Sequence, residues 1–275
     1  MEIIVVLCRA ETSLNVGAVC RVMANCDLTQ LRIVGDPNIY NETEVLTLAL
    51  HARGIWDSAK FFPATIEGLR QATSDCNAVF ATTRREGAKR KHSGLSPDTF
   101  VKFCLRERYE RIALVFGNER TGLTDEEVSI CSHSINIPSS SSYPSYNLSH
   151  AVLILAYTTF THKELLQAGS LIEASLNDKS RKKTLTQESS PLIKWKDKSL
   201  AKRGTLTYSQ SCNTAKEIVS KLKEMGLYKK GGEKDCESFI SQMLTRSRLS
   251  EEEAEYFANI FNKLFYENKK RHEKE

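Results

Sequence analysis

The eight cysteines of this 275-residue chain include no Cys-x-x-Cys pair and no Cys/His grouping at zinc-ligand spacing. That excludes the common structural zinc modules and the dithiol redox motif. Scattered at 8, 20, 26, 76, 104, 131, 212 and 236 in apolar or helical contexts, the cysteines read as reduced core thiols of a cytoplasmic protein. The N-terminal apolar run does not read as a signal peptide or a membrane span either. The apolar run Ile3–Cys8 is only six residues long, has no basic segment before it and is followed by charge, so it reads as a buried strand.

What is present suits a folded protein: 40% of residues are hydrophobic and 27% charged, enough apolar surface for a sizeable core. The length exceeds that of one minimal domain, about 100–200 residues, and predicts a core with an appendage. A net charge of +5 is modest and does not by itself indicate nucleic acid. Its distribution says more. Residues 178–203 hold nine Lys/Arg against three Asp/Glu, a net +6, so the rest of the chain sums to about −1 and one connecting segment carries the whole excess.

Residues 1–165 alternate short β-branched apolar runs with longer amphipathic stretches, the pattern of an α/β protein with an open, mostly parallel sheet. Strands are predicted at 3–8, 31–34, 60–62, 78–82, 112–116 and 134–137, and helices at 15–26, 42–55, 65–73, 96–106, 125–131 and 148–167. From this pattern 1–167 is predicted to be the core domain and 168–208, dense in Lys and Ser with Pro191 and Gly204, a flexible basic linker. Residues 209–275 form a small helical unit, in which Ser250 and Glu253 make a capping-box signature.

Three loops carry the candidate chemistry. Asn15-Val16-Gly17-Ala18-Val19-Cys20-Arg21 opens the first helix, where small residues permit close approach and free amides can receive a phosphate. Tight packing of the helix on the sheet would explain the small residues equally well. Phe116-Gly117-Asn118-Glu119-Arg120-Thr121-Gly122-Leu123 leaves a strand at its carboxyl end, where ligands of open α/β sheets bind. It is neither a Walker loop nor a Rossmann fingerprint, and an ordinary strand-to-helix turn does not account for its charges. Ile137-Pro138, a serine tract and Pro144-Ser145-Tyr146-Asn147-Leu148-Ser149 precede a long apolar helix, where Asn147 or Ser149 would serve as N-cap in any case.

Together, Asn-x-Gly-Ala-x-x-Arg, Phe-Gly-x-Glu-x-x-Gly-Leu and Ile-Pro followed by Ser-x-Asn-Leu-Ser resemble, in order and spacing, the three motifs of the SPOUT RNA 2′-O-ribose methyltransferases, in the TrmH-like branch and of the TrmJ type. The resemblance implies a trefoil knot in the C-terminal part of the core domain. It also implies S-adenosylmethionine as methyl donor without a metal, and methylation of a cytidine or uridine ribose, at position 32 of the tRNA anticodon loop.

By the same resemblance Arg21, Asn15, Glu119, Ser145 and Asn147 form the reaction centre, while Thr82, Thr83, Arg84, Gly117, Ile137, Pro144, Ser145 and Tyr146 hold the donor. Arginine stays protonated and cannot accept the ribose proton, so Arg21 is expected to fix a phosphate and stabilise the developing oxyanion. Pro144, Tyr146 and the basic Thr83-Arg84-Arg85 depart from the pattern and leave base preference open.

Arg85, Lys89, Arg90 and Lys91 make a basic loop beside the expected donor site, suited to RNA phosphates. The expected partners are tRNA and a second copy of the chain, with no membrane and no DNA. Two other readings are a ribosomal-RNA methyltransferase of the same branch, whose RNA-binding domain would precede a core that here opens at Met1, and a non-catalytic RNA-binding protein of the same fold.

Overall fold

The computed structural model describes residues 1–84, 94–177, 205–227, 232–247 and 249–272. Arg85, Lys89, Arg90 and Lys91, and the basic segment 178–204, lie outside the described residues. In chain order the elements are β1 (Glu2–Cys8), α1 (Ser13–Asn25), β2 (Gln30–Val34), α2 (Glu42–Ala49), α3 (Arg53–Asp57), β3 (Lys60–Phe62), α4 (Ile66–Thr73) and β4 (Ala78–Thr82). After these come α5 (Pro97–Glu107), β5 (Arg111–Phe116), α6 (Asp125–Ser129), β6 (His133–Ile135), α7 (Leu148–Asn177), α8 (Tyr208–Glu224), α9 (Glu233–Ser247) and α10 (Glu251–His272).

The six strands form one sheet in the order β3-β2-β1-β5-β4-β6, and every pairing is parallel. β1 is central, which explains why its apolar run is unbroken: a strand covered on both faces has no polar side to show. Its side chains alternate between two cores. Ile3, Val5 and Leu7 join the core beneath α1, α5 and α7, while Ile4, Val6 and Cys8 join Leu69, Ala72, Val115, Leu123 and Cys131 on the other face.

Three elements differ from the sequence-based expectation. The single helix expected over 42–55 is broken at Leu50, whose backbone takes a positive φ of 50°, into α2 and α3. The last strand ends at Ile135 rather than at residue 137. α7 runs on to Asn177, through residues assigned to the linker. Its 163–177 stretch holds four Leu, two Ala and two Glu, strong helix formers that outweigh the roughly 1 kcal/mol cost of Gly169.

The helical unit is seated on the sheet's second face. Tyr208 and Cys212 of α8 are buried in the same core as Leu69, Ala72 and Cys76. The Tyr208 and Ser209 amides donate to the Cys76 and Ser74 carbonyls at 2.6 and 3.1 Å, and Asn77 Nδ2 donates to Thr205 O at 3.3 Å. α8, α9 and α10 have their own core of Ala215, Ile218, Val219, Ile240, Leu244 and Ala258. Leu206 and Tyr208, placed in the linker by sequence, are thus buried.

Candidate functional site

The carboxyl ends of β4 and β5, with the loop after β6, enclose a cleft of about 800 Å³, within the usual range of small-molecule sites, about 300–1,000 Å³. Thr82, Thr83 and Arg84 leave β4 along one side, Gly117–Leu123 forms a wall, and Ile137, Pro138, Ser139, Pro144, Ser145 and Tyr146 close the third side. The eight residues expected to hold the donor therefore line a single cleft. Thr82 Oγ1 is buried behind this lining without a hydrogen-bond partner among the described residues.

The wall is tightly folded. A Cβ on Gly117 would lie 2.0 Å from the Gly122 carbonyl carbon, and Gly122 itself has a φ of 65°, so both positions require glycine. Asn118 O accepts the Gly122 amide at 2.9 Å, and Asn118 Oδ1 accepts the Thr121 amide and hydroxyl at 2.6 and 2.7 Å. Opposite, the Ser139 hydroxyl donates to Pro144 O at 2.8 Å and the Tyr146 hydroxyl to Pro138 O at 3.0 Å, closing the third loop on itself.

A chain of directed hydrogen bonds links all three motif loops. Glu119 accepts Asn15 Nδ2 at 2.8 Å and the Glu11 and Thr12 amides at 2.9 and 3.3 Å. Because an ionised carboxylate only accepts, the Asn15 amide must turn its NH₂ to Glu119 and its oxygen away. Asn15 Oδ1 then accepts Asn147 Nδ2 at 3.0 Å, and Asn147 Oδ1 accepts the Ser149 amide at 2.9 Å as the N-cap of α7. Burial alone would raise the Glu119 pKa, but the Asn15 amide and the backbone donors together hold it below its ordinary value. The sequence-derived N-cap reading of Asn147 and its place in the site are thus both realised by one side chain.

Arg21 stands apart. It is exposed on α1 and is not one of the residues lining the cleft. Gly17, by contrast, is a packing glycine: its Cβ would sit 2.1 Å from Val45 O of α2. Arg9, Glu11 and Glu127, which tether the glycine wall from below, were missed in the sequence. Thr124-x-x-Glu127 is a legible capping box, and two charges directly behind a buried strand are a signal in themselves. Among the described residues no group of three or more His, Cys, Asp or Glu is placed to hold a metal ion, and no helix is long and apolar enough to cross a membrane.

Comparison with known proteins adds a second line of evidence. The model of the SpoU rRNA methylase family matches residues 2–157. A tRNA (cytidine-2′-O-)-methyltransferase TrmJ of Methanocaldococcus jannaschii is 39% identical over 161 residues, 58% of this chain and 67% of its own. A tRNA (cytidine/uridine-2′-O-)-methyltransferase TrmJ of Pectobacterium atrosepticum is 32% identical over 166 residues, 60% of this chain and 67% of its own. The crystal structure of TrmJ from Z. mobilis ZM4 superposes with a TM-score of 0.68 over 96% of this chain and 99% of that one. At 18% identity this last likeness speaks for the fold alone.

Proposed function

The chain belongs to the SpoU rRNA methylase family, whose model spans more than half of it, and from that premise we propose that it transfers a methyl group from S-adenosylmethionine to a ribose 2′-hydroxyl of tRNA. The observation that carries this reading is that two of the motif loops line one cleft and the first is joined to them by the Glu119–Asn15–Asn147 hydrogen bonds. The tRNA substrate rests on the names of the relatives, and cytidine or uridine 32 of the anticodon loop is the nucleotide we assign. A non-catalytic RNA-binding role is disfavoured by the intact Glu119–Asn15–Asn147 chain, which packing alone does not require.

The residues present fit the donor. The Gly117–Leu123 backbone, held in shape by glycines at 117 and 122, forms one wall without bulky side chains at those points, and the cleft of about 800 Å³ is large enough for an adenosyl group with its methionine arm. When bound, S-adenosylmethionine supplies an electrophilic methyl on a sulfonium, chemistry that asks for alignment rather than for a metal. The chain's contribution is that alignment, which can lower a barrier by about 7–11 kcal/mol in favourable cases. Asn15 and Asn147, their amides fixed in direction by Glu119, are assigned to orient the ribose. Arg21, outside the cleft lining, is assigned to the RNA side: its guanidinium holds a phosphate and stabilises the 2′-oxygen as charge develops, and a phosphate oxygen or water takes the proton.

A homodimer is part of the same proposal. Leu14 on α1, and Leu153 and Tyr157 on α7, are large apolar side chains left exposed on two helices that pack against each other, a face suited to a second copy. A trefoil crossing also belongs to it. The chain leaves β6 at the sheet edge and returns as α7 to α1 and α5, crossing the carboxyl ends of the strands between. Arg85, Lys89, Arg90 and Lys91, which follow Arg84 of the cleft in sequence, are assigned to phosphate contacts.

The test is Arg21→Ala: methyl transfer to tRNA should fall by about 10²–10³, the scale of losing one oxyanion donor, with donor affinity by calorimetry nearly unchanged. Near-normal turnover would remove Arg21 from the mechanism. Absence of donor binding by the unaltered protein would remove the methyltransferase reading altogether.

A further inference from the structure

The segment that leaves β1 carries two charges that neither line the cleft nor belong to the Glu119–Asn15–Asn147 chain. Arg9 takes a φ of 55°, a conformation rare for a side chain of this size, and it turns the guanidinium back beneath the glycine wall. Nε and Nη2 donate to the two carboxylate oxygens of Glu127 at 2.9 and 2.8 Å, and Nη2 donates as well to Gly122 O at 3.1 Å. Glu127 is buried and also accepts the Thr124 amide at 2.7 Å, closing the capping box of α6. The Arg9 fork and the Thr124 amide hold its carboxyl below the ordinary range although burial opposes this.

Glu11 grips the other half of the wall. Its carboxylate accepts Asn118 Nδ2 at 2.9 Å and Arg120 Nε at 2.8 Å, and its backbone amide donates to Glu119 at 2.9 Å. One short stretch of chain therefore ties down both the start of the Gly117–Leu123 loop, through Glu11, and its end, through Arg9.

The loop has reason to need such ties. Glycines at 117 and 122 permit its shape but make ordering it costly. The Arg120–Glu11 pair is exposed, with Arg120 at 79%, and such pairs contribute little. The Arg9–Glu127 fork is different: Glu127 is shielded, and removing one member of a shielded pair leaves the other uncompensated. Arg9 is therefore the stronger tie, and the bond from Asn118 is the part of the Glu11 contact that matters.

We propose that Arg9 and Glu11 are positioning residues that preset the Gly117–Leu123 wall of the cleft for its ligand. The proposal rests on the reading of that cleft as the methyl-donor site. A purely structural tie would lower the melting temperature and leave the ligand affinity of the folded protein alone. A positioning tie raises the donor dissociation constant, and KM for the donor with it, in protein that is still folded, and leaves tRNA affinity unchanged.

The experiment compares the full chain with Arg9→Met, Arg9→Lys and Glu11→Ala at a temperature where circular dichroism shows all four folded. S-adenosylmethionine binding is read by calorimetry and amide exchange over 116–123 by mass spectrometry. Arg9→Met should bind the donor about tenfold more weakly, the scale of one charge-assisted hydrogen bond, and exchange faster in that peptide alone. Arg9→Lys should recover part of both, and Glu11→Ala, which leaves Asn118 Nδ2 without its acceptor, should weaken donor binding less than Arg9→Met does; wild-type affinity and exchange in folded Glu11→Ala would remove Glu11 from the proposal. Wild-type donor affinity and exchange in folded Arg9→Met would overturn the proposal. Should the unaltered protein bind no donor, the functional reading fails instead, and the exchange difference, which needs no ligand, still decides whether Arg9 orders the wall.

Discussion

Gly117 shows how a single position can be right for a reason the sequence hides. The sequence reading placed it where backbone meets ligand, but the structure puts Gly122 of its own loop 2.0 Å from where a Cβ would lie. Gly117→Val should therefore displace the wall itself, costing on the order of 1–3 kcal/mol of stability as overpacked sites do, together with most donor affinity; calorimetry and urea melts read both, and an unaffected donor affinity would show that the loop is not part of the site. At the sheet's opposite end, Arg32 is buried and donates to both oxygens of Asp75 at 2.6 and 2.8 Å, with Arg111 adding a third bond at 2.9 Å. The Arg32 hydrogen bonds, working against burial, lower the Asp75 pKa from 3.8 to about 2. A folded value below the unfolded one means that this stabilisation is whole above pH 3.8 and is lost as pH falls toward 2. Asp75 is 38% exposed, so after screening the loss should be about 1 kcal/mol. Asp75→Asn should remove that component of the pH dependence and, as a neutral mimic of the protonated acid, cost about the same 1 kcal/mol at neutral pH. Urea melts at pH 5, 4 and 3 check this, and an unchanged pH slope in the variant would reject it.

Elements were legible where a local pattern decided them and obscure where tertiary contact did. β1 stood out because a doubly covered strand is apolar throughout, and α4 to α6 because each is an amphipathic stretch; the caps at Thr65, Ser96 and Thr124 are local signals that mark where they start. The end of α7 was hidden by a glycine that helix-forming neighbours outweigh. The seating of α8 was hidden because Tyr208 and Cys212 meet Leu69 and Ala72 only through the fold. The site divides in the same way: its motif loops carry recognisable letters, whereas Arg9 and Glu127 are joined across 118 positions and nothing local marks the pairing. Asn147 offers a way to separate an element's stability from its chemistry, since one side-chain oxygen caps α7 while the amide nitrogen bonds Asn15. Asn147→Asp should keep the cap and the melting temperature but lose the bond to Asn15 and lower methyl transfer at least tenfold. Asn147→Ala should lose both, with the missing cap costing about 1 kcal/mol. Equal turnover in the Asp variant and the unaltered protein would reduce Asn147 to a cap.

At the scale of the whole molecule the seating of the helical unit changes what its removal means. The sequence alone invites the expectation that 1–168 would stand by itself, the remainder adding only remote phosphate contacts. In the structure α7 extends to Asn177, and the sheet's second face is covered in part by Tyr208 and Cys212, so a truncated chain would expose Leu69, Ala72 and Cys76. Deleting residues from Asp178 onward should therefore cost stability before it costs binding. Losing a buried aromatic anchor is worth about 3–5 kcal/mol, and at the lower bound the melting temperature should fall by roughly 6–12 °C for a domain of this size. The exposed apolar side chains of α1 and α7 remain in the truncated chain, so the proposed dimer should persist, and the cleft should keep its proposed donor binding when assayed well below the new melting point. Affinity for tRNA should fall and lose salt dependence, because the +6 segment 178–203 is gone and each neutralised phosphate contributes to the salt slope, by about −0.9 for duplex DNA. Sedimentation, calorimetry and filter binding at two salt concentrations separate these effects. A truncated chain with unchanged melting temperature would show that α8 does not hold the second face in solution, and one with an unchanged salt slope would remove the basic segment from RNA binding.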